Sequence, residues 1–130
     1  MIQKRVFLGG TCNGDPWRDK LIPSLKIDFF NPVVEDWTPE CQAEELAQRQ
    51  SCDLVLYVIT PAMSGVYSIA EAVDDSNKRP LKTVFHVRNE SGFDAGQRMS
   101  LAAVEKMIAE NGARVAVSWE HLISILNEGT

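Results

Sequence analysis

Histidine is scarce in this chain, with two residues in 130, and cysteine contributes three. Cys12, Cys41 and Cys52 are odd in number and have no short metal-type spacing. His86 and His121 lie far apart, so neither a structural zinc site nor any other metal centre is expected. Free thiols in a reducing cytoplasm are the simpler reading. Basic clusters are missing too: 13 Lys and Arg stand against 18 Asp and Glu, for a net charge of −5. Binding a nucleic-acid polymer needs clustered cations on its phosphates, so that partner is not expected. A small anionic ligand stays open, because helix N-termini bind one without net positive charge. No apolar run is long enough to span a bilayer, and Met1 to Gly10 lacks the apolar core of a signal peptide. A cytoplasmic protein with no membrane partner is the expectation. Repeats, low-complexity segments and linkers are absent, and the length fits one domain over 1–130. No G-x-G-x-x-G pattern, P-loop ending or Ser-His-Asp order is found, and no cofactor is expected.

What is present is a regular alternation of strand and helix patterns. Residues 5–9 read as a strand opening into the turn-rich Gly9-Gly10-Thr11-Cys12-Asn13-Gly14. Asp15-Pro16 reads as a cap and first-turn proline for a helix over 17–25. A strand over 25–30 stops at Asn31-Pro32. Thr38-Pro39-Glu40 repeats the cap pattern, and a largely polar helix runs to about Gln50. Asp53 to Thr60 is a continuous apolar, β-branched run, as expected of a strand buried on both faces. Ser64 is expected to cap the next helix, which carries Glu71 and ends near Lys78. A strand over 81–87, a loop over 89–96, a helix over 97–111, a short strand over 115–117 and a helix capped by Ser118 complete the pattern. Connections of this kind require parallel strands with crossover helices. The expected fold class is α/β: one doubly wound, five-stranded parallel sheet, a flavodoxin-like or Rossmann-like three-layer sandwich in order 2-1-3-4-5.

That order brings the loops at 9–13 and 60–68 together across one crevice, where open α/β sheets bind ligands. Glu71, on the helix leaving this edge among apolar neighbours, is the candidate catalytic residue. A solvated helix position is the alternative. The Gly9-Gly10-Thr11 loop is either a tight turn or a cradle for phosphate or sugar hydroxyls. Asn31 either binds a base or sugar or caps its own turn. Gly65 allows close backbone approach, and Ser64 and Ser68 are candidates to hold hydroxyls or phosphate. Trp37 is the tryptophan best placed for ligand contact; Trp17 and Trp119 read as packing residues. Cys12 reads as an inert buried thiol and His86 as a satisfied structural histidine.

The segments Val6-Phe7-Leu8-Gly9-Gly10, Phe29-Phe30-Asn31-Pro32 with Glu35-Asp36-Trp37, Cys52 to Tyr57, and Gly65 to Ala72 together resemble the nucleoside 2-deoxyribosyltransferase-like family. The resemblance implies that Glu71 attacks the anomeric carbon of a 2-deoxynucleoside or its monophosphate. The base then leaves and a second base or water takes the sugar, as a carboxylate does in retaining glycosidases. It also implies that Tyr67 and Ser68 line the site, that Asp53 occupies an acidic family position, and that a homo-oligomer is possible, with Asn127 reaching a neighbouring subunit. Two positions depart from the family pattern. Gly65 stands where the family carries an Asp that handles the leaving base, and Phe7 or Leu8 replaces a tyrosine. Asp36 is one candidate substitute for the missing acid. Transfer, simple hydrolysis, a non-catalytic nucleotide or nucleotide-sugar sensor and an interaction module all remain open.

Overall fold

A computed structural model describes residues 4–34 and 36–130. Glu35 of the resembling segment and residues 1–3 lie outside the described residues. Five parallel strands form one sheet, β1 (Arg5–Gly10), β2 (Asp28–Phe30), β3 (Leu54–Ile59), β4 (Thr83–Val87) and β5 (Arg114–Ala116). Their spatial order is β2-β1-β3-β4-β5, as expected. β3 pairs Val6 to Gly10 with Leu54 to Val58 on one side and Val55 to Ile59 with Thr83 to Val87 on the other. Every residue of β3 is buried, which is why its sequence is an unbroken apolar run.

Alternate side chains of the strands enter two cores. Val6, Leu8, Leu56 and Val84 meet Trp17 and Leu21 of α1 (Trp17–Leu21) and Leu122 and Leu126 of α5 (Trp119–Leu126). Phe7, Val55, Tyr57 and Phe85 meet Ala72 of α3 (Tyr67–Lys78) and Leu101 and Ile108 of α4 (Ala95–Glu110). The fifth helix, α2 (Pro39–Ser51), joins this second face, and Arg49 is its one buried residue. Its half-buried positions, Cys41, Glu45 and Gln48, continue the same stripe, whereas Ala43, Leu46 and Ala47 are exposed. The helix therefore turns a polar stripe inward.

Several local expectations are corrected. The first helix ends at Leu21 rather than Leu25 and passes into a 3-10 turn over Ile22–Ser24. Pro23 lacks the N–H that a continued helix needs and its ring crowds the preceding turn. The edge strand β2 is consequently three residues long. Ser64 does not cap α3. The N-cap is Val66 with no side-chain bond, and Ser64 Oγ instead accepts from Asn13 Nδ2 at 2.9 Å. α4 starts at Ala95, inside the expected loop, because Asp94 and Gln97 form a reciprocal capping box. Thr38 and Ser118 cap α2 and α5 as their sequence positions indicate.

Gly9 and Gly10 close β1 for steric reasons. A Cβ on Gly9 would lie 2.6 Å from the Tyr57 ring, and one on Gly10, at φ +120°, would lie 2.1 Å from the Val58 carbonyl oxygen. Gly10→Ala is expected to cost about 3 kcal/mol or more, since neither the backbone angle nor the rigid neighbour can give way. Urea unfolding measures this; a loss below about 1 kcal/mol would show that the strand end can shift.

Candidate functional site

The β1–α1 and β3–α3 loops face each other at the C-terminal edge of the sheet, where neighbouring strands send their helices to opposite faces. Asn13 ties the two loops together, donating from Nδ2 to the Ala62 carbonyl at 3.0 Å and to Ser64 Oγ. Thr11 adds a second tie: its Oγ1 accepts from the Thr60 N–H at 3.0 Å. Three adjoining cavities open along this edge. One of about 160 Å³ runs from Gly10 and Thr11 to Gly65, Tyr67 and Ser68. One of about 330 Å³ is lined by Asn13, Asp15, Arg18, Asn31 and Val33. A narrow one of about 80 Å³ lies among Phe7, Gly9, Pro32, Glu45, Ser68 and Glu71. Cys12 lines all three, so they form one crevice.

Glu71 projects from the second turn of α3 into the narrow cavity with its side chain 14% exposed. Its Oε2 lies 3.3 Å from Arg49 Nη1. No hydrogen bond to Oε1 is formed among the described residues. Burial pushes the Glu71 carboxyl up to about 7. Arg49 opposes that rise, and the negative charges of Glu45, Asp75 and Asp74 add to it. Glu45 enters the same cavity from α2, and burial raises its carboxyl as well, against the pull of Arg49.

Behind Glu71 lies a buried polar network. Asp75 is fully buried and takes two bonds from Arg49, from Nε at 3.1 Å and Nη2 at 3.0 Å. It also accepts from the Tyr57 hydroxyl at 2.6 Å and from Arg79 Nη1. Burial and the adjacent Asp75 push the Tyr57 hydroxyl far up, so it stays a donor. Burial alone would lower the Arg49 guanidinium, but its bond to Asp75 and the surrounding anions raise it.

A positive charge borders the same narrow cavity and the one beside it. Arg18 is 5% exposed and donates to the carbonyls of Leu8, Thr11 and Gly10 at 3.0, 2.8 and 3.3 Å. No carboxylate lies within 4 Å of it among the described residues, and burial pulls its guanidinium below the ordinary value. The N–H groups of Cys12, Asn13 and Gly14 nearby are taken by no acceptor among the described residues.

The structure brings Gly9, Gly10, Thr11, Asn31, Gly65, Tyr67, Ser68 and Glu71 to this crevice. Thr11 serves structure there, since its N–H donates to Val58 O and its hydroxyl accepts from the Thr60 N–H just beyond β3. Asn31 does cap its own turn, accepting from the Val33 N–H at 3.1 Å. Ser64 and the exposed Trp37 line none of the three cavities. Cys12 is exposed, not buried, because the turn carries it out over the crevice. His86 is buried with Nδ1 3.0 Å from Ala116 O, a satisfied structural histidine. Asp53 binds the Arg5 N–H at the opposite end of the sheet. Asn127 is occupied within its own chain by Lys26 N and Ser24 O. The residues that periodicity missed are Arg18, Glu45, Arg49 and Asp75. The available signal was charge spacing: Glu45 and Arg49 are four apart, on a helix with no apolar stripe to bury.

Residues 3–90 match the model of a family described as nucleoside 2-deoxyribosyltransferase like, more than half of the chain. No curated protein matches it. Among the described residues no helix is long and apolar enough to cross a membrane, and no cluster of side chains is suited to a metal ion.

The raised Glu71 carboxyl has a defined effect on stability. With a folded value of about 7 against an ordinary 4.5, the folded state holds the proton more tightly than the unfolded chain. The stabilising contribution is complete below about pH 4.5 and is lost as pH rises through 7. Glu71→Gln keeps an acceptor for Arg49 but cannot titrate. It should match the parent near pH 4 and exceed it at pH 8 by up to about 3 kcal/mol. Thermal unfolding at both values measures this, and a difference independent of pH would mean the carboxyl titrates as it does in water.

Proposed function

The chain belongs to the nucleoside 2-deoxyribosyltransferase-like family, and from that premise we propose that it cleaves, or transfers at, the N-glycosidic bond of a 2-deoxynucleoside or deoxynucleotide. Membership supports a nucleoside glycosyl transfer role in general terms; the assignment of residues is our own reading. The observation that carries it is the pair of carboxylates, Glu45 and Glu71, facing one cavity at the C-terminal edge of the sheet.

In the proposed reaction ionised Glu71 attacks the anomeric carbon. The carbon–nitrogen bond breaks, and its electron pair leaves with the base. Glu45, which lines the same cavity and whose carboxyl burial raises, delivers a proton to the departing nitrogen. The glycosyl ester on Glu71 then yields its sugar to a second base or to water, with Glu45 accepting the incoming proton. Two carboxyl groups with different partners divide the roles: Glu71 has the direct ion pair to Arg49 and Glu45 does not. Glu45 thereby supplies an acid that Gly65 cannot, and Asp36, which lines none of the three cavities, is not needed for it. Arg18 and the free N–H groups of the β1–α1 loop favour a substrate carrying a 5′-phosphate. Gly65, Tyr67 and Ser68 border the adjoining cavity and serve the sugar or base. A homo-oligomer belongs to the same reading; Val66, Tyr67 and Met99 are exposed apolar side chains suited to a subunit contact.

A panel of deoxynucleosides and their 5′-monophosphates, with and without an acceptor base, is the test, read by chromatography. Base release is expected, faster for monophosphates, and Glu71→Ala should reduce it at least about 10³-fold. Glu45→Gln should reduce it about 10²-fold, least where the base leaves readily. Turnover unchanged in Glu71→Ala would remove the assignment, and tight binding with no product from the parent protein would make this a sensor.

A further inference from the structure

Arg49 is an unusual residue to find as the sole buried side chain of a helix. Its guanidinium has two opposing sides in use: Nε and Nη2 hold Asp75, and Nη1 reaches Glu71. Asp75 is itself fixed from two other directions, by the Tyr57 hydroxyl from β3 and by Arg79. Tyr57 is fully buried against Phe7, and the absence of a Cβ at Gly9 leaves room for its ring. A planar fork pinned on one edge has few positions left for the other, so Nη1 is delivered to one place.

We propose that Arg49 is the positioning residue of the site, anchored by Asp75 and Tyr57, and that it fixes the Glu71 carboxylate through Oε2 so that Oε1 is presented to the cavity. The inference rests on the reading of Glu71 as nucleophile. Arg49 touches no reacting atom and acts through Glu71.

The charged and titratable groups around Glu71 make the role measurable. Arg49 and Glu45 approach it from α2, Asp74 and Asp75 belong to its own helix, Tyr57 comes from β3, and Arg18 and Cys12 border the same cavity. Arg49 alone among them makes an ion pair with Glu71 among the described residues. Without it, the burial and like charge that already hold the carboxyl near 7 act unopposed. The nucleophile would then be protonated at neutral pH.

The test follows the Glu71 carboxyl directly, by carbon-13 NMR titration in selectively labelled protein, alongside the pH–rate profile. Arg49→Gln is expected to move the Glu71 titration up by at least about one unit. The acid limb of the rate profile should move with it, kcat at pH 7 should drop about tenfold or more, and activity should partly return at higher pH. Arg49→Lys, which keeps the charge without the fork, should restore the titration more than the rate. If Arg49→Gln does not fold, Tyr57→Phe gives the same test: freeing one Asp75 oxygen draws Arg49 away from Glu71 and shifts the titration in the same direction, by less. Glu71 titrating as in the parent in folded Arg49→Gln or, where that variant does not fold, in Tyr57→Phe overturns the inference. If the parent releases no base from any substrate, the functional reading fails, and the NMR titration still decides whether Arg49 governs Glu71.

Discussion

The pairing of Arg49 with Asp75 organises the functional half of this molecule. Most helices in an α/β sandwich dock by laying an apolar stripe on the sheet, as α1, α3, α4 and α5 do here. α2 has one buried side chain, and it is a charged one. Burying a charge is expensive unless it is paired and its hydrogen-bonding capacity is met. Asp75 supplies the pairing through two bonds, and Tyr57 and Arg79 complete the shell of the carboxylate. No buried side-chain polar atom is left without a partner among the described residues. Such a pair gives little net stability against a well-packed apolar alternative, but breaking one partner costs several kcal/mol, on the order of 3–5. What the pair supplies is direction: it admits one rotation of α2 about its own axis.

That rotation has consequences for the crevice. Glu45 lies one turn before Arg49 and is carried inward with it, to face Glu71 across the narrow cavity. The anions of this wall, Glu45, Glu71, Asp74 and Asp75, outnumber the guanidinium groups that hold them. That excess of negative charge adds to burial in raising the Glu71 carboxyl to about 7, and Arg49 is what opposes it. The same electrostatics that settle the helix therefore set the protonation state of the site.

The architecture was legible in the sequence because its determinants are local and apolar. The run Leu54 to Ile59 suits a doubly covered strand, and Thr38-Pro39 and Ser118 mark helix starts by their own chemistry, whereas α1, for which Asp15 is the expected cap, has Pro16 as its N-cap with no side-chain bond. Glu71 was legible through its place after that strand and through the family resemblance. The rest of the site was not, because periodicity reads apolar residues as inward. On α2 that rule selects Ala43, Leu46 and Ala47, which face solvent, and passes over Glu45 and Arg49. The partner that reverses it, Asp75, lies on another helix, so no window along the chain contains both. Ser64 failed for a similar reason: Asn13, distant in sequence, competes for the hydroxyl that would have capped α3.

The crevice carries groups of both signs, and that bears on which molecule fits. Glu45 and Glu71 line the narrow cavity, and the buried Arg18 borders both it and the neighbouring cavity lined by Cys12, Asn13 and Gly14, whose N–H groups no acceptor takes among the described residues. An N-glycosidic transition state is itself polarised. Positive charge develops at the anomeric carbon and ring oxygen, and a 5′-phosphate at the far end of the sugar is negative. Setting the anomeric carbon against Glu71 and the phosphate against Arg18 satisfies both ends, whereas the reverse orientation opposes like charges in a poorly hydrated cleft. A neutral nucleoside would use only the carboxylates and leave the buried guanidinium without an anion. The charge on Arg18 is thus the feature on which our proposal of a monophosphate substrate rests.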